Sequence, residues 1–285
     1  MSTHAFTQVD VFSTRPFGGN PVAVVHLADD DTLSDEHMAA VARWTNLSET
    51  TFLLPPTDPG ADYRLRIFTP GGELPFAGHP TLGSARAWLE AGGAPADPEL
   101  LVQECGAGLV RVRRAQDTLA FAAPPLVRSG PPADELRTRV LRALGLADTD
   151  VLAMSWVDNG PHWLGVLLPD AQTVLDLRPD FAAVAALGGT EVGVIGRHGP
   201  GGPADVEVRA FCPDLGIPED PVTGSLNAGL AMWLTGEGLL PPAYVAAQGT
   251  ALGRHGRVQV ATEGGELWVG GAAQVRVSGT IDLSA

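Results

Sequence analysis

Two short glycine-rich segments hold many of the residues that could do chemistry. Gly78-His79-Pro80-Thr81-Leu82-Gly83-Ser84 and Thr223-Gly224-Ser225 each stand just ahead of an apolar run that reads as a helix. Glycine lets a ligand come close to the main chain, and free N–H groups at a helix start attract an anion. The natural guest of either loop is the carboxylate of a small molecule. An ordinary capped helix, with Thr81 or Thr223 as its cap, accounts equally well for either loop taken alone.

The proton carriers lie nearby in type, if not in sequence. Glu49 precedes the apolar run Phe52-Leu53-Leu54. A carboxylate desolvated by such neighbours is pushed up in pKa, which suits it to take and return a proton; a solvated loop glutamate is the plainer reading. Asp220, beside Glu219 and before Pro221, is a second candidate, or it starts a turn. Glu73 could equally be a loop fastener. His79, flanked by Gly78 and Pro80, reads as a tight-loop histidine able to donate a hydrogen bond or carry a proton.

Other chemistries find little support. The seven histidines show no metal spacing such as H-E-x-x-H, so no metal site is expected. Cys105 and Cys212 are the only two cysteines and form no C-x-x-C pair. All 18 basic residues are arginine, which excludes a pyridoxal-phosphate Schiff base and a P-loop. Neither G-x-S-x-G nor a post-strand G-x-G-x-x-G occurs. Acid/base chemistry without a cofactor remains: a base, a return acid, and dipoles to stabilise enolate-like charge next to a carboxylate.

The elements that must position these groups come in two similar sets. Arg66-Ile-Phe-Thr-Pro70 returns as Arg209-Ala-Phe-Cys-Pro213, 143 positions later, and Pro75 returns as Pro218 at the same spacing. Trp88-Leu89 returns as Trp233-Leu234. Each copy reads strand, proline-bounded loop, helix. Before the first copy come strands over Gln8–Phe12 and Val22–His26, a helix from a Ser34 cap to about Trp44 with Asn46 as its left-handed stop, and a strand over Thr50–Leu54. The first helix of the repeat pair runs over Leu82–Leu89 and is followed by a meander. A proline-rich break from Pro124-Pro125 to Pro131-Pro132 is the linker candidate. Beyond it lie an amphipathic helix through Leu136, Val140, Leu141 and Leu144, strands at Val151–Trp156, Trp163–Leu168, Val192–Ile195 and Val206–Phe211, a helix over Leu226–Leu234, and a strand-like tail at Arg257–Val260, Leu267–Val269 and Gln274–Val277. Many strands and a few helices out of strict alternation argue for an α+β fold.

The chain has 285 residues, enough for about two domains, and a formal net charge of −15. Nucleic acid is an improbable partner for so acidic a chain, and an anionic membrane surface equally so. No run is long enough to cross a membrane. The start shows neither a basic n-region nor an apolar h-region and reads as a mature, cytoplasmic protein.

These blocks, together with Gln8-Val-Asp-Val-Phe-Ser-Thr-Arg-Pro-Phe-Gly-Gly-Asn-Pro-Val22, Asn46-Leu-Ser-Glu-Thr50, Asp220-Pro-Val-Thr-Gly-Ser225, Gln248-Gly249 and Gly253-Arg254, make the sequence similar to the PhzF-like phenazine-biosynthesis isomerase family. That resemblance implies a diaminopimelate epimerase-like architecture: two pseudo-symmetric lobes, each a curved mixed sheet around a central helix, with the active site in the cleft between them. On this expectation the N-terminal lobe covers 1–124, completed by a C-terminal strand at about 273–285, and the second lobe covers 125–272. A homodimer is also implied. Residue by residue, the family's proton-transferring glutamate falls on Glu49, its histidine on His79, its aspartate on Asp220 and its serine on Ser225, with amides near Gly78 and Gly224 holding the substrate carboxylate. The two catalytic thiols of better-known epimerases of this fold have no counterpart in the glycine loops. The expected activity is a cofactor-independent proton shift at carbon in a small dihydro-hydroxyanthranilate-like or amino-acid-like carboxylate. The alternatives are an epimerase with Glu49 and Asp220 on opposite faces, and a catalytically idle homologue that only binds a small molecule.

Overall fold

The computed structural model describes residues 3–28 and 33–284. The chain forms two compact units, Met1–Ala122 with Gly270–Ala285, and Ala123–Val269. In the first lie β1 (Thr3–Val11), β2 (Asn20–His26), α1 (Asp35–Thr45), β3 (Thr50–Leu54), β4 (Tyr63–Thr69), β5 (Gly72–Leu74), α2 (Gly78–Glu90), β6 (Leu100–Cys105), β7 (Gly108–Ala115) and β8 (Thr118–Ala122). In the second lie β9 (Arg128–Gly130), α3 (Asp134–Leu144), β10 (Ala153–Asp158), β11 (Trp163–Leu167), α4 (Ala171–Asp176), α5 (Phe181–Ala185), β12 (Glu191–Arg197), β13 (Val206–Cys212), β14 (Ile217–Asp220), α6 (Gly224–Gly236), β15 (Ala243–Gln248) and β16 (Gly256–Glu263). A 17-residue strand, β17 (Glu266–Asp282), ends the chain.

Strand pairing makes the duplication plain. In unit one, β1–β2 is antiparallel, β2–β3 parallel, β3–β4 antiparallel, β4–β6 parallel and β6–β7 antiparallel. In unit two, β10–β11, β11–β12, β12–β13, β13–β15 and β15–β16 repeat that order of directions. A parallel neighbour needs a crossover. Helix α1 supplies it between β2 and β3, α2 between β4 and β6, and α6 between β13 and β15. In unit one the ladder also returns on itself, since β17 pairs with both β8 and β1.

Closing the sheet leaves room for a helix buried on nearly every side. Nine of the 13 residues of α2 are buried, and nine of 13 in α6. A helix without a wet face has small residues where it meets the sheet. A Cβ on Gly83 would stand 2.2 Å from a methyl of Val22, and one on Gly229 would stand 2.3 Å from the carbonyl oxygen of Val157. Backbone cannot yield as a side chain can. Gly229→Ala is therefore expected to destabilise the protein by about 1–3 kcal/mol. Gly236→Ala, in open space at the end of the same helix, should be neutral or gain up to about 1 kcal/mol. Urea unfolding of the two variants side by side measures the contrast.

Local signals account for the outer elements. Ser34 caps α1, accepting from the His37 N–H at 3.2 Å, and Asn46 ends it in the left-handed region at φ 54°. Helix α1 covers Val25, Phe52 and Phe68 through Met38 and Val41. In unit two, α3, α4 and α5 cover a core built on Trp156, Leu164, Val194 and Phe211.

Several elements differ from the sequence expectation. Helix α2 begins at Gly78, not Leu82, so His79, Pro80 and Thr81 belong to its first turn and not to a loop. Pro80 is tolerated there because first-turn N–H groups have no intrahelical acceptor. Thr81 is not the cap; Ala77 is, with no side-chain bond. Strand β1 starts at Thr3, well before Gln8, and the two tail strands at 267–269 and 274–277 are parts of β17. The short α4 and α5 escape a reading based on helical periodicity because each spans under two turns.

Candidate active site

The Glu49 side chain sits at the entrance to β3, 14% exposed, and its Oε2 lies 3.2 Å from Nε2 of His79, itself 5% exposed. The approach is off the line of an aligned hydrogen bond. Burial pushes the Glu49 carboxyl up to about 7, and a hydrogen bond from Ser48 only partly offsets this. Near neutrality the group is thus poised between acid and base.

Neighbouring side chains position the pair. Asn20 Nδ2 stands 3.4 Å from His79 Nδ1, and Asn20 Oδ1 accepts from the Ser48 hydroxyl at 3.5 Å. With the amide so oriented, Nδ1 is the acceptor and the ring proton is on Nε2, facing Glu49. Asn20 is set in turn by Asp10, whose carboxylate accepts the N–H groups of Gly18 and Gly19 at 3.1 and 2.9 Å. Buried Gln103 steadies the first turn of α2 through the Thr81 hydroxyl at 3.1 Å.

The desolvated carboxyl also leaves a mark on stability. Its folded pKa of about 7 exceeds its ordinary 4.5, so the native state binds the proton more tightly than the unfolded chain does. Its contribution to stability is full below 4.5 and is lost as pH rises to about 7. Glu49→Gln removes this dependence. The stability of the variant relative to the parent should therefore grow over that window and level off above it, as denaturation at a series of pH values will read.

In unit two, buried Gln248 organises the start of α6. Its Oε1 accepts from the Thr223 N–H at 3.0 Å and from Asn227 at 2.8 Å. Its Nε2 donates to the Asp220 carbonyl at 3.1 Å and to the Thr223 hydroxyl at 2.9 Å. The Thr223 hydroxyl donates to Asp220 Oδ2 at 2.5 Å. Thr223 is the residue before the helix, but its side chain makes no capping bond to it; it is spent on Asp220 instead. Ser225 Oγ accepts from Trp163 Nε1 at 3.1 Å, and the Ser225 carbonyl accepts from Asn159 at 2.8 Å. Gly78 and Gly224 are the first residues of their helices, whose opening turns carry no side-chain cap. Their N–H groups suit an anion.

Glu49 and His79 are thus brought together within unit one, and Asp220, Gly224 and Ser225 within unit two. Glu73 proves to be a fastener, bound at both oxygens by Arg66 at 2.7 and 2.6 Å. Cys105 is on β6 and Cys212 on β13, and neither occupies a helix start; burial also pushes the Cys105 thiol up, which disfavours the thiolate. Asn159 and Trp163 carried no motif of their own, and Asn20 stood within the Gln8–Val22 block without an assigned role. Glu191 carried no motif either, since the 143-residue offset maps Glu49 onto Val192, and strand register is needed to find it. Thr50 faces Phe68 across β3–β4, Val192 faces Phe211 across β12–β13, and the two phenylalanines are repeat partners. Glu191 therefore occupies the position of Glu49 in the second copy. Burial, and secondarily Asp214, push it up to about 7, with His162 opposing.

A duplicated α+β scaffold with a mixed sheet around a buried helix carries a desolvated glutamate against a histidine at one uncapped helix start, an arrangement chemically able to take and return a proton. The sequence profile of the family described as phenazine biosynthesis-like protein, PhzC-PhzF, matches residues 9–281, and the chain belongs to that family. It is 35% identical over 268 residues to the trans-2,3-dihydro-3-hydroxyanthranilate isomerase of Pseudomonas aeruginosa, covering 92% of this chain and 91% of that one. The crystal structure of a PhzF-family phenazine biosynthesis protein from Enterococcus faecalis superposes with a TM-score of 0.81 at 29% identity, covering 99% of this chain and all of the other. A hydroxyproline epimerase from Agrobacterium vitis shares the fold at a TM-score of 0.58 and 13% identity, over 98% of this chain and 92% of that one. The protein is an isomerase. Among the described residues no helix is long and apolar enough to cross a membrane.

Proposed function

We propose that this isomerase shifts a proton between carbons of a small conjugated carboxylate, without a cofactor. The Glu49 carboxylate takes the proton from carbon. The electron pair of the broken C–H bond enters the conjugated system, and Glu49 returns the proton to a second carbon, so that no redox partner is consumed. His79 donates from Nε2 to the developing charge, and Asp220 steers charge on the substrate. Gly78, Gly224 and Ser225 take the substrate carboxylate. The observation that carries this reading is the buried Glu49–His79 contact of 3.2 Å with the Glu49 carboxyl raised to about 7. A base matched to the ambient pH transfers protons in both directions with small driving force.

Trans-2,3-dihydro-3-hydroxyanthranilate, named for a relative, is the first substrate to offer. The reaction followed by proton NMR in deuterated water tests the proposal. A one-base shift by Glu49 should retain part of the substrate hydrogen at the new carbon. Complete wash-in of deuterium at an inverted centre would point to two-base epimerisation instead. Absence of exchange in a panel of carboxylates would leave only a binding protein and sink the proposal. The same reading takes the protein to work as a cytoplasmic homodimer, which light scattering checks for the assembly.

A further inference from the structure

The β17 side of unit one holds an open hollow of about 420 Å³ lined by Arg86, Glu90, Asp117, Gln274 and Arg276, with Ala273 and Val275. The side chains of its two arginines are only partly exposed, at 16% for Arg86 and 21% for Arg276. Both are under-used. Among the described residues, buried Nε of Arg86 and buried Nε of Arg276 each lack a hydrogen-bond acceptor. Their carboxylate neighbours stand off at ion-pair range, Glu90 at 3.7 Å from Arg86 Nη1 and Asp10 at 3.9 Å from Arg276 Nε. Asp10 is committed elsewhere, to the N–H groups of Gly18 and Gly19. Among the described residues Arg86 otherwise donates only to the Asp117 carbonyl at 3.3 Å, and Arg276 to Gln274 Oε1.

Buried charged donors without acceptors are costly, and their usual explanation is an absent ligand or water. The forked guanidinium matches a carboxylate best. The lining is not simply cationic, however. Glu90 and Asp117 set two negative charges against the two positive ones, which disfavours a dianion such as phosphate and favours a guest with both signs. We propose that this hollow binds the head group of a free α-amino acid, its carboxylate on Arg86 and Arg276 and its ammonium toward Glu90 and Asp117. None of these residues belongs to the proposed catalytic set, so this site stands or falls separately from the proton-shift reading.

The experiment is NMR of the arginine Nε–H groups in the full chain, with the Arg86 and Arg276 signals assigned by their loss in Arg86→Lys and Arg276→Lys. Glycine, acetate, methylammonium and inorganic phosphate are titrated to tens of millimolar. Glycine should shift both signals saturably, and several-fold more tightly than acetate or phosphate. Glu90→Gln, a change at an exposed side chain that should not disturb folding, should narrow the preference for glycine over acetate. Arg276→Gln should weaken glycine binding about tenfold, the equivalent of about 1.4 kcal/mol. Unmoved signals with all four probes would overturn the proposal. So would acetate or phosphate binding as tightly as glycine, or a glycine preference that survives Glu90→Gln unchanged.

Discussion

Glu49→Gln is expected to fold as the parent does and to lose about 10²- to 10⁴-fold in turnover, the usual worth of a positioned general base. The replacement keeps the shape of the side chain and removes only its ability to hold a negative charge. Because burial desolvates that charge, the amide costs the fold nothing at neutral pH. The parent should show an acid limb in kcat/KM with an apparent pKa near 7, falling tenfold per pH unit below it, since a protonated Glu49 cannot accept. Residual activity in the glutamine variant should lack that limb. The measurement is a pair of pH–rate profiles with circular dichroism to verify folding. A variant that turns over normally removes Glu49 from the mechanism.

The second large effect concerns the fold and exploits its duplication. Arg209 and Glu219 form a two-pronged pair at 2.9 and 2.8 Å, with side chains only 6% and 5% exposed. Arg209 also donates to the carbonyls of Val174 and Leu177 at the end of α4 and lies over the Phe211 ring. Its repeat partner Arg66 grips Glu73 in the same way and lies over Phe68, but with exposures of 24% and 40%. Arg209→Met strands a buried carboxylate and two carbonyls and should cost about 3–5 kcal/mol. Arg66→Met leaves Glu73 in water and should cost under about 1 kcal/mol. Adding Glu219→Leu to Arg209→Met should recover much of the loss, because two apolar side chains need no counter-charge. Urea denaturation of the three variants decides. Equal losses for Arg66→Met and Arg209→Met would mean that burial is not what separates the two pairs.

Much of the scaffold was legible because its signals are local. The Ser34 cap and the Asn46 stop are decided within one turn of α1, and alternation along Tyr63–Ile67 declares a half-buried strand. The recurrence of Arg, Phe and Pro at one spacing announced the duplication, and the matched strand directions of the two units bear it out. The start of α2 is not legible in the sequence because Gly78, His79 and Pro80 are poor helix residues in isolation. They become helical where Gln103 holds Thr81 and the sheet buries the whole turn.

Residue types come from the chain alone: glutamates before apolar strands, one histidine between glycine and proline, no lysine, and two copies of a strand–loop–helix unit. Packing sets what these groups are chemically. Glu49 and His79 are 30 positions apart in the chain, and only the packing of α2 beside the start of β3 brings them to 3.2 Å. Only burial lifts that carboxyl to about 7, and only strand register reveals Glu191 as its counterpart. The physical reason is that a pKa is set by the solvent a group loses and the charges it gains, and both come from residues distant in sequence.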